Sequence, residues 1–261
     1  MALDGAFLYL TAAEIRDALI GSRIEKIMQP SREEIMLAMR TMQGGKKLLL
    51  SANANSPRAH LTELTLENPK QPPMFCMLLR KHLGSGRLLA VRQNGLDRVL
   101  TLDFETVNEL GDKTVTSLIV EIMGRHSNII LVNEQGKILD AIKRVGEDVS
   151  SVRLVLPGMA YQPPPPQEKL NLLETDEKEW MARFIGQKTT DTAKALMGTF
   201  EGISPLLARE LAYRALKGQE IPKDLLSDFY RRRLVTELQE LKQKLCCRQA
   251  VYTVAVNEEK K

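Results

Sequence analysis

The stretch Leu88-Leu89-Ala90-Val91-Arg92-Gln93-Asn94-Gly95-Leu96-Asp97-Arg98-Val99-Leu100-Thr101-Leu102-Asp103-Phe104 reads as two strands and a turn. Leu88 to Arg92 and Arg98 to Phe104 are short apolar-rich runs. Asn94-Gly95 between them supplies residues that tolerate positive φ, as a tight hairpin requires. Thr114 to Met123, Asn128 to Asn133 and Lys137 to Ile142 continue the pattern, with Gln135-Gly136 as another turn. Upstream, Arg23 to Gln29, Glu34 to Arg40 and Lys46 to Ala52 are alternating runs. In the second of these Ile35, Leu37 and Met39 fall on one face, as in a half-buried strand. The runs predict a largely antiparallel, β-rich domain with two or three helices, hence an α+β fold.

The helices have their own signals. Thr11-Ala12-Ala13-Glu14 is a Thr-x-x-Glu capping box and Gly21 closes the helix it predicts. Residues 53–72 are polar and proline-bearing, which predicts a long loop; Pro72-Pro73 then opens a helix that Gly84 ends. Composition changes at Leu156-Pro157-Gly158, and Pro163 to Pro166 form a stiff, extended run suited to an interdomain spacer. A proline-rich ligand for a partner domain is the competing reading. Everything after it is helical. Asp176 with Glu179 starts a helix carrying Trp180 and Phe184, Thr190 starts another, and Ser204-Pro205 caps a third. Pro222 opens a long helix with Leu226, Leu234, Leu238, Leu241 and Leu245 at helical spacing. Ala250 to Val256 alternates like a strand without a partner. The expected organisation is a β-rich domain over 1–156, a linker over 157–170, a helical domain over 171–235, and a helix end plus strand over 236–261.

Composition sets limits on function. The 261 residues are 43% hydrophobic and 27% charged, as in an ordinary globular protein. Thirty-seven basic against 33 acidic side chains leave a net charge of +4, so any nucleic-acid surface must come from clustering. No run approaches the ~18 apolar residues of a membrane span, and no leader-like segment is seen, so the cytoplasm is the expected location. Cys76, Cys246 and Cys247 form no C-x-x-C pair, and His60, His82 and His126 lack ligand spacing, so reduced thiols and no metal site are expected. No Ser-His-Asp or Cys-His set and no acid–base carboxylate pair can be read, and no cofactor is expected.

The remaining candidates are binding residues. Asp97-Arg98 puts a planar fork of donors beside a carboxylate, which suits a phosphate or a base edge; a solvated charge pair at a strand entrance is the competing reading. Arg125-His126 sits in the short connection Gly124 to Ser127, where side chains point outward and glycine allows close approach; an ordinary polar turn would look the same. Arg80 and Lys81, in the last turn of their helix, either favour its dipole by roughly 0.3–1 kcal/mol each or counter RNA phosphates. Gly202 to Pro205 sets free N–H groups at a helix start, a ready anion site that every helix shares. Leu83-Gly84-Ser85-Gly86 lacks the residues of a P-loop. Arg231-Arg232-Arg233 reads as a solvated helix face.

Four strings fall in order: Met1-Ala2-Leu3-Asp4-Gly5, Met74-Phe75-Cys76-Met77-Leu78-Leu79-Arg80-Lys81-His82-Leu83, Gln93 to Val99, and Glu121 to Ile129. Together they resemble the N-terminal part of the NFACT family, in bacteria the RqcH-type ribosome quality-control factors long labelled fibronectin-binding proteins. The likeness runs from Met1 to about residue 245. It implies an architecture similar to formamidopyrimidine-DNA glycosylases: a β-sandwich-like domain flanked by helices, then a helix-two-turns-helix module from about 175 to 235. In the family the aspartate of the initial Ala-Leu-Asp and the Asp-Arg pair take part in tRNA recognition, which implies Asp4, Asp97 and Arg98 here; Arg125 and His126 are added to them. Arg80, Lys81, Gly202 and Ser204 would meet phosphates. Family members bind large ribosomal subunits obstructed by peptidyl-tRNA and recruit tRNA, alanyl-tRNA in bacteria, for mRNA-independent C-terminal tailing of the stalled chain. The family's coiled coil and C-terminal RNA-binding domain are not in these residues. Two alternatives stand beside this: a DNA lyase and a fibronectin-binding adhesin. The glycosylases begin with proline and glutamate, whereas this chain has Ala2-Leu3, and it lacks the cysteines of their zinc finger.

Overall fold

The computed structural model describes residues 3–108, 110–150 and 153–249. The chain divides into two compact units, Met1–Glu168 and Lys169–Lys261.

In the first unit a helix, α1 (Gly5–Leu19), precedes four strands: β1 (Arg23–Ser31), β2 (Glu34–Thr41), β3 (Gly44–Ser51) and β4 (Arg58–Thr62). Helix α2 (Met74–Leu83) follows, then β5 (Arg87–Gln93), β6 (Val99–Val107), β7 (Lys113–Glu121), β8 (Asn128–Val132) and β9 (Ile138–Ala141). All pairings are antiparallel, and the strands form one sheet in the order β4-β3-β2-β1-β5-β6-β7-β8-β9. Within the sheet its two halves are joined at the β1–β5 register pair of Arg23 with Arg87. Both halves turn apolar faces to one core. Ile35, Leu37 and Met39 of β2 share it with Leu102 and Phe104 of β6, Leu118 and Val120 of β7, and Leu8, Ile15 and Leu19 of α1. That shared core gives the unit its sandwich-like character. A smaller apolar cluster on the other face of β7 to β9 packs Ile119, Ile130 and Ile138 beneath Val155 and Tyr161. The chain from Gly158 to Tyr161 accordingly runs beside β9, exchanging hydrogen bonds with Ile138 and Gly136.

In the first unit four expectations need correction. Helix α1 starts at Gly5, capped by the Asp4 carboxylate, which accepts from the Phe7 N–H at 2.8 Å. Thr11 lies inside that helix and its hydroxyl donates to the Phe7 carbonyl at 3.0 Å, the alternative open to a mid-helix threonine. Residues 53–72 are not all loop, because Arg58–Thr62 pairs with β3. The link between β5 and β6 is the five-residue stretch 94–98, with Gly95 at φ 54. Pro73 is the N-cap of α2 rather than its first residue.

The second unit holds α3 (Glu177–Ile185), α4 (Thr192–Thr199), α5 (Pro205–Leu216) and α6 (Asp228–Cys246). Asp176, Asp191 and Ser204 cap the first three, so the predicted start at Thr190 moves by one residue. Trp180 is buried edge-on to Phe200, at 6.1 Å between ring centroids. Pro222 opens only a short 3-10 turn, and α6 begins after Ser227. Two cations close helix C-termini, where backbone carbonyls lack partners. The buried Lys223 ammonium donates to the Ile185 and Gln187 carbonyls at 2.7 and 2.8 Å. Arg233 donates to the Ala215 and Arg214 carbonyls, both at 2.9 Å, so this arginine is a cap and not part of a solvated face. The predicted strand from Ala250 to Val256 lies outside the described residues. Among the described residues no helix is long and apolar enough to cross a membrane, and no group of His, Cys, Asp and Glu could hold a metal ion.

Candidate nucleic-acid interface

Three chain segments meet at one end of the first unit's sheet. The Gln93 amide, at the end of β5, donates to the Gly5 carbonyl at 3.0 Å and to the Asp97 carbonyl at 2.7 Å. It thereby ties the start of α1, next to Asp4, to the 94–98 loop. The Asp97 carboxylate folds back to accept from the Arg98 N–H at 2.7 Å, which fixes the loop's exit into β6. Across the ladder, the Ile122 N–H donates to the Arg98 carbonyl at 2.8 Å. Just beyond it, Gly124–His126 forms a 3-10 turn with Gly124 at φ 58. The buried Ser127 hydroxyl accepts from the Met123 N–H at 2.8 Å and pins that turn. Asp4, Asp97, Arg98 and the Arg125-His126 turn are therefore neighbours through hydrogen-bonded backbone.

Charge at this end is unevenly satisfied. Arg98 is half-buried and its guanidinium has no partner among the described residues. Arg125 is exposed and its Nε donates to the adjacent His126 ring at 3.0 Å. Neither meets a carboxylate there. Beneath them lies a group that reading the sequence missed. Glu121, 1% exposed, faces Arg153 in a two-pronged ion pair and accepts from the Tyr161 hydroxyl at 3.0 Å. Arg153 also lies over the Tyr161 ring, 5.2 Å from its centroid. Burial first, then the charge and hydrogen bond of Glu121, push the Tyr161 hydroxyl far above its ordinary value of 10.0; Arg153 opposes and Asp97 adds. Glu121 itself is the ladder partner of both Val99 and Asn128, so the pair braces the strand that carries Arg98 on one side and the 124–126 turn on the other. Partners 32 and 40 residues apart leave no local sequence signal.

The other candidates have their own surroundings. Arg80 joins α2 to β1: its Nε and Nη2 donate to the Ile27 carbonyl at 3.0 and 2.9 Å. Lys81 is exposed beside it. Gly202 and Ser204 belong to the second unit, where Gly202 sits at φ 70 and the Ser204 hydroxyl accepts from the Leu207 N–H at 3.2 Å.

Known proteins share much of this sequence and fold. "Rqc2 homolog RqcH" of Bacillus subtilis is 41% identical over 232 residues, covering 88% of this chain and 40% of that protein. The human "Ribosome quality control complex subunit NEMF" is 26% identical over 144 residues, 55% of this chain and 12% of that protein. The solved N-terminal part of the fibronectin/fibrinogen-binding protein from Streptococcus suis superposes with a TM-score of 0.77 at 36% identity, covering 91% of this chain and 85% of that one. This chain therefore spans well under half of the Bacillus relative's length. The family described as NFACT N-terminal and middle domains matches residues 4–261, and the chain belongs to that family.

Proposed function

We propose that this chain is the tRNA-binding N-terminal region of a ribosome quality-control factor. The longer protein would bind obstructed large ribosomal subunits and recruit alanyl-tRNA for mRNA-independent C-terminal tailing, with peptide-bond chemistry left to the ribosome. Asp97 and Arg98 would contact bases, with Asp4, Arg125 and His126 beside them; Arg80, Lys81, Gly202 and Ser204 would counter phosphates. The region would work by binding, without a cofactor. The observation that carries the reading is the pair of guanidinium groups, Arg98 and Arg125, without carboxylate partners among the described residues at one braced end of the sheet. An arginine fork without an internal carboxylate, carried on a braced backbone, suits a base edge or phosphate oxygens. Similarity to an Rqc2 homolog and to a ribosome quality control complex subunit supports the same direction.

Equilibrium binding of a tRNA pool across a salt series tests it. Affinity should fall with a log–log slope of about −0.7 to −0.9 per neutralised phosphate. Arg98→Ala should reduce discrimination among tRNAs by about 1–3 kcal/mol. Equal affinity of both proteins for every tRNA would remove the base-reading role. Fibronectin is the second reading, favoured by the likeness to the fibronectin/fibrinogen-binding protein of Streptococcus suis. It predicts saturable capture on immobilised fibronectin that Arg98→Ala leaves unchanged.

A further inference from the structure

Three arginines stand in register across adjacent strands at the far end of β5 from the 94–98 loop. Arg40 on β2 is the partner of Arg23 on β1, and Arg23 is the partner of Arg87 at the start of β5. Directly paired residues project to the same face of a sheet, and all three arginines are exposed. Like charges placed opposite one another in a sheet are destabilising, so the pairing of the three arginines does not itself hold the strands together. Internal neutralisation is slight. Arg87 lies 3.7 Å from Glu105, which is also 3.5 Å from Lys113. Arg23 donates to the neutral Ser85 carbonyl at 3.1 Å. Arg40 has no partner among the described residues. A groove of about 720 Å³ opens beside Arg23 and Arg40, lined also by Asp17, Ile20, Met42 and Gln43. Asp17 is the one carboxylate lining it.

We infer that this row is a second RNA contact, a track for the phosphate backbone that reads no sequence. Neighbouring strands are ~4.8 Å apart, so three guanidinium groups extend over roughly 10 Å, and each offers the planar fork that phosphate oxygens accept. A net charge of only +4 makes an uncompensated cationic row a local concentration and not a general property of the surface. Six residue steps separate Arg87 from Gln93, about 20 Å along a strand, a span that one folded RNA can cover. The inference rests on the reading of this chain as an RNA-binding protein.

The experiment compares the wild-type chain, the double variant Arg23→Gln/Arg40→Gln, the charge-preserving Arg23→Lys/Arg40→Lys, and Arg98→Ala. Each is titrated with a tRNA and with an unrelated RNA of equal length across a salt series. Losing two phosphate contacts should lower the salt slope by about 1.5 for both RNAs, leaving the preference between them intact. The lysine pair should keep the slope, and Arg98→Ala should change the preference instead. Thermal melting of the glutamine pair should stay close to wild type, relief of like-charge repulsion offsetting loss of the Arg23–Ser85 hydrogen bond. An unchanged slope in the glutamine pair, with wild type still binding RNA in a salt-dependent way, overturns the row alone. A wild-type chain that binds no RNA removes the underlying reading as well.

Discussion

Asp4 caps a helix, and that role can be separated from the one proposed for it in binding tRNA. Its carboxylate caps α1 through the Phe7 N–H, which gives this residue a structural reason to be aspartate independent of any ligand. Asp4→Ala should therefore cost about 0.5–2 kcal/mol of stability. Asp4→Ser keeps a capping oxygen and removes the charge. In urea denaturation it should stay within a few tenths of wild type, yet lose tRNA preference if the carboxylate also meets RNA. Unaltered preference in a stable Asp4→Ser chain would leave the residue a cap and nothing more. Tyr161 gives a second test at this scale. Its hydroxyl is held protonated well above 10.0, so the folded state keeps a proton that the unfolded state releases. The resulting stability is fully present below pH 10 and is lost as pH rises past it toward the higher folded value. Stability measured at pH 9 and at pH 11 should fall more for wild type than for Tyr161→Phe, and equal falls would contradict the burial argument.

At the level of elements, helix α2 shows how a cationic motif can serve the fold. The sequence string Arg80-Lys81-His82 reads equally well as a dipole partner or an RNA wall. The structure has Arg80 bridging to the Ile27 carbonyl of β1, on the seam where buried Cys76 also approaches the same oxygen at 3.7 Å. Arg80→Met should destabilise the first unit by about 1–3 kcal/mol, because a strand carbonyl loses its charged donor. Arg80→Lys should stay destabilised. If it nevertheless restores RNA binding, the charge acts in addition to the bridge. Burial raises the Cys76 thiol, with the nearby Arg80 charge opposing, while Cys246 and Cys247 are exposed. An alkylating reagent should consequently modify two thiols of the native chain quickly and the third only with unfolding. Rapid labelling of Cys76 would show that α2 does not hold this seam shut.

Across the whole molecule, what could be read in the sequence follows the range of the forces involved. Alternation, as of Ile35, Leu37 and Met39 on one face, and apolar runs bounded by turn signals marked eight of the nine strands among the described residues. The capping residues Asp176 and Ser204 were equally local and equally legible. β4 escaped because its Ala59 and Leu61 face inward within a polar, proline-bearing stretch, although the period-two pattern of Arg58 to Thr62 could have been found. Thr11-Ala12-Ala13-Glu14 misled because a capping box and a mid-helix threonine have the same spelling. The candidate interface was half-legible. Its outward residues Asp97, Arg98, Arg125 and His126 stand in turns that sequence announces. The buried Glu121, Arg153 and Tyr161 beneath them are assembled by tertiary folding from distant positions. The central claim is that the start of α1, the 94–98 loop and the 124–126 turn form one RNA-facing end. Ultraviolet cross-linking of the chain to bound tRNA, with adducts mapped by mass spectrometry, tests it most directly. The account predicts adducts on peptides containing residues 94–98 and 123–127. Adducts found only on other surfaces, such as α6, with both of these peptides unmodified, would contradict it.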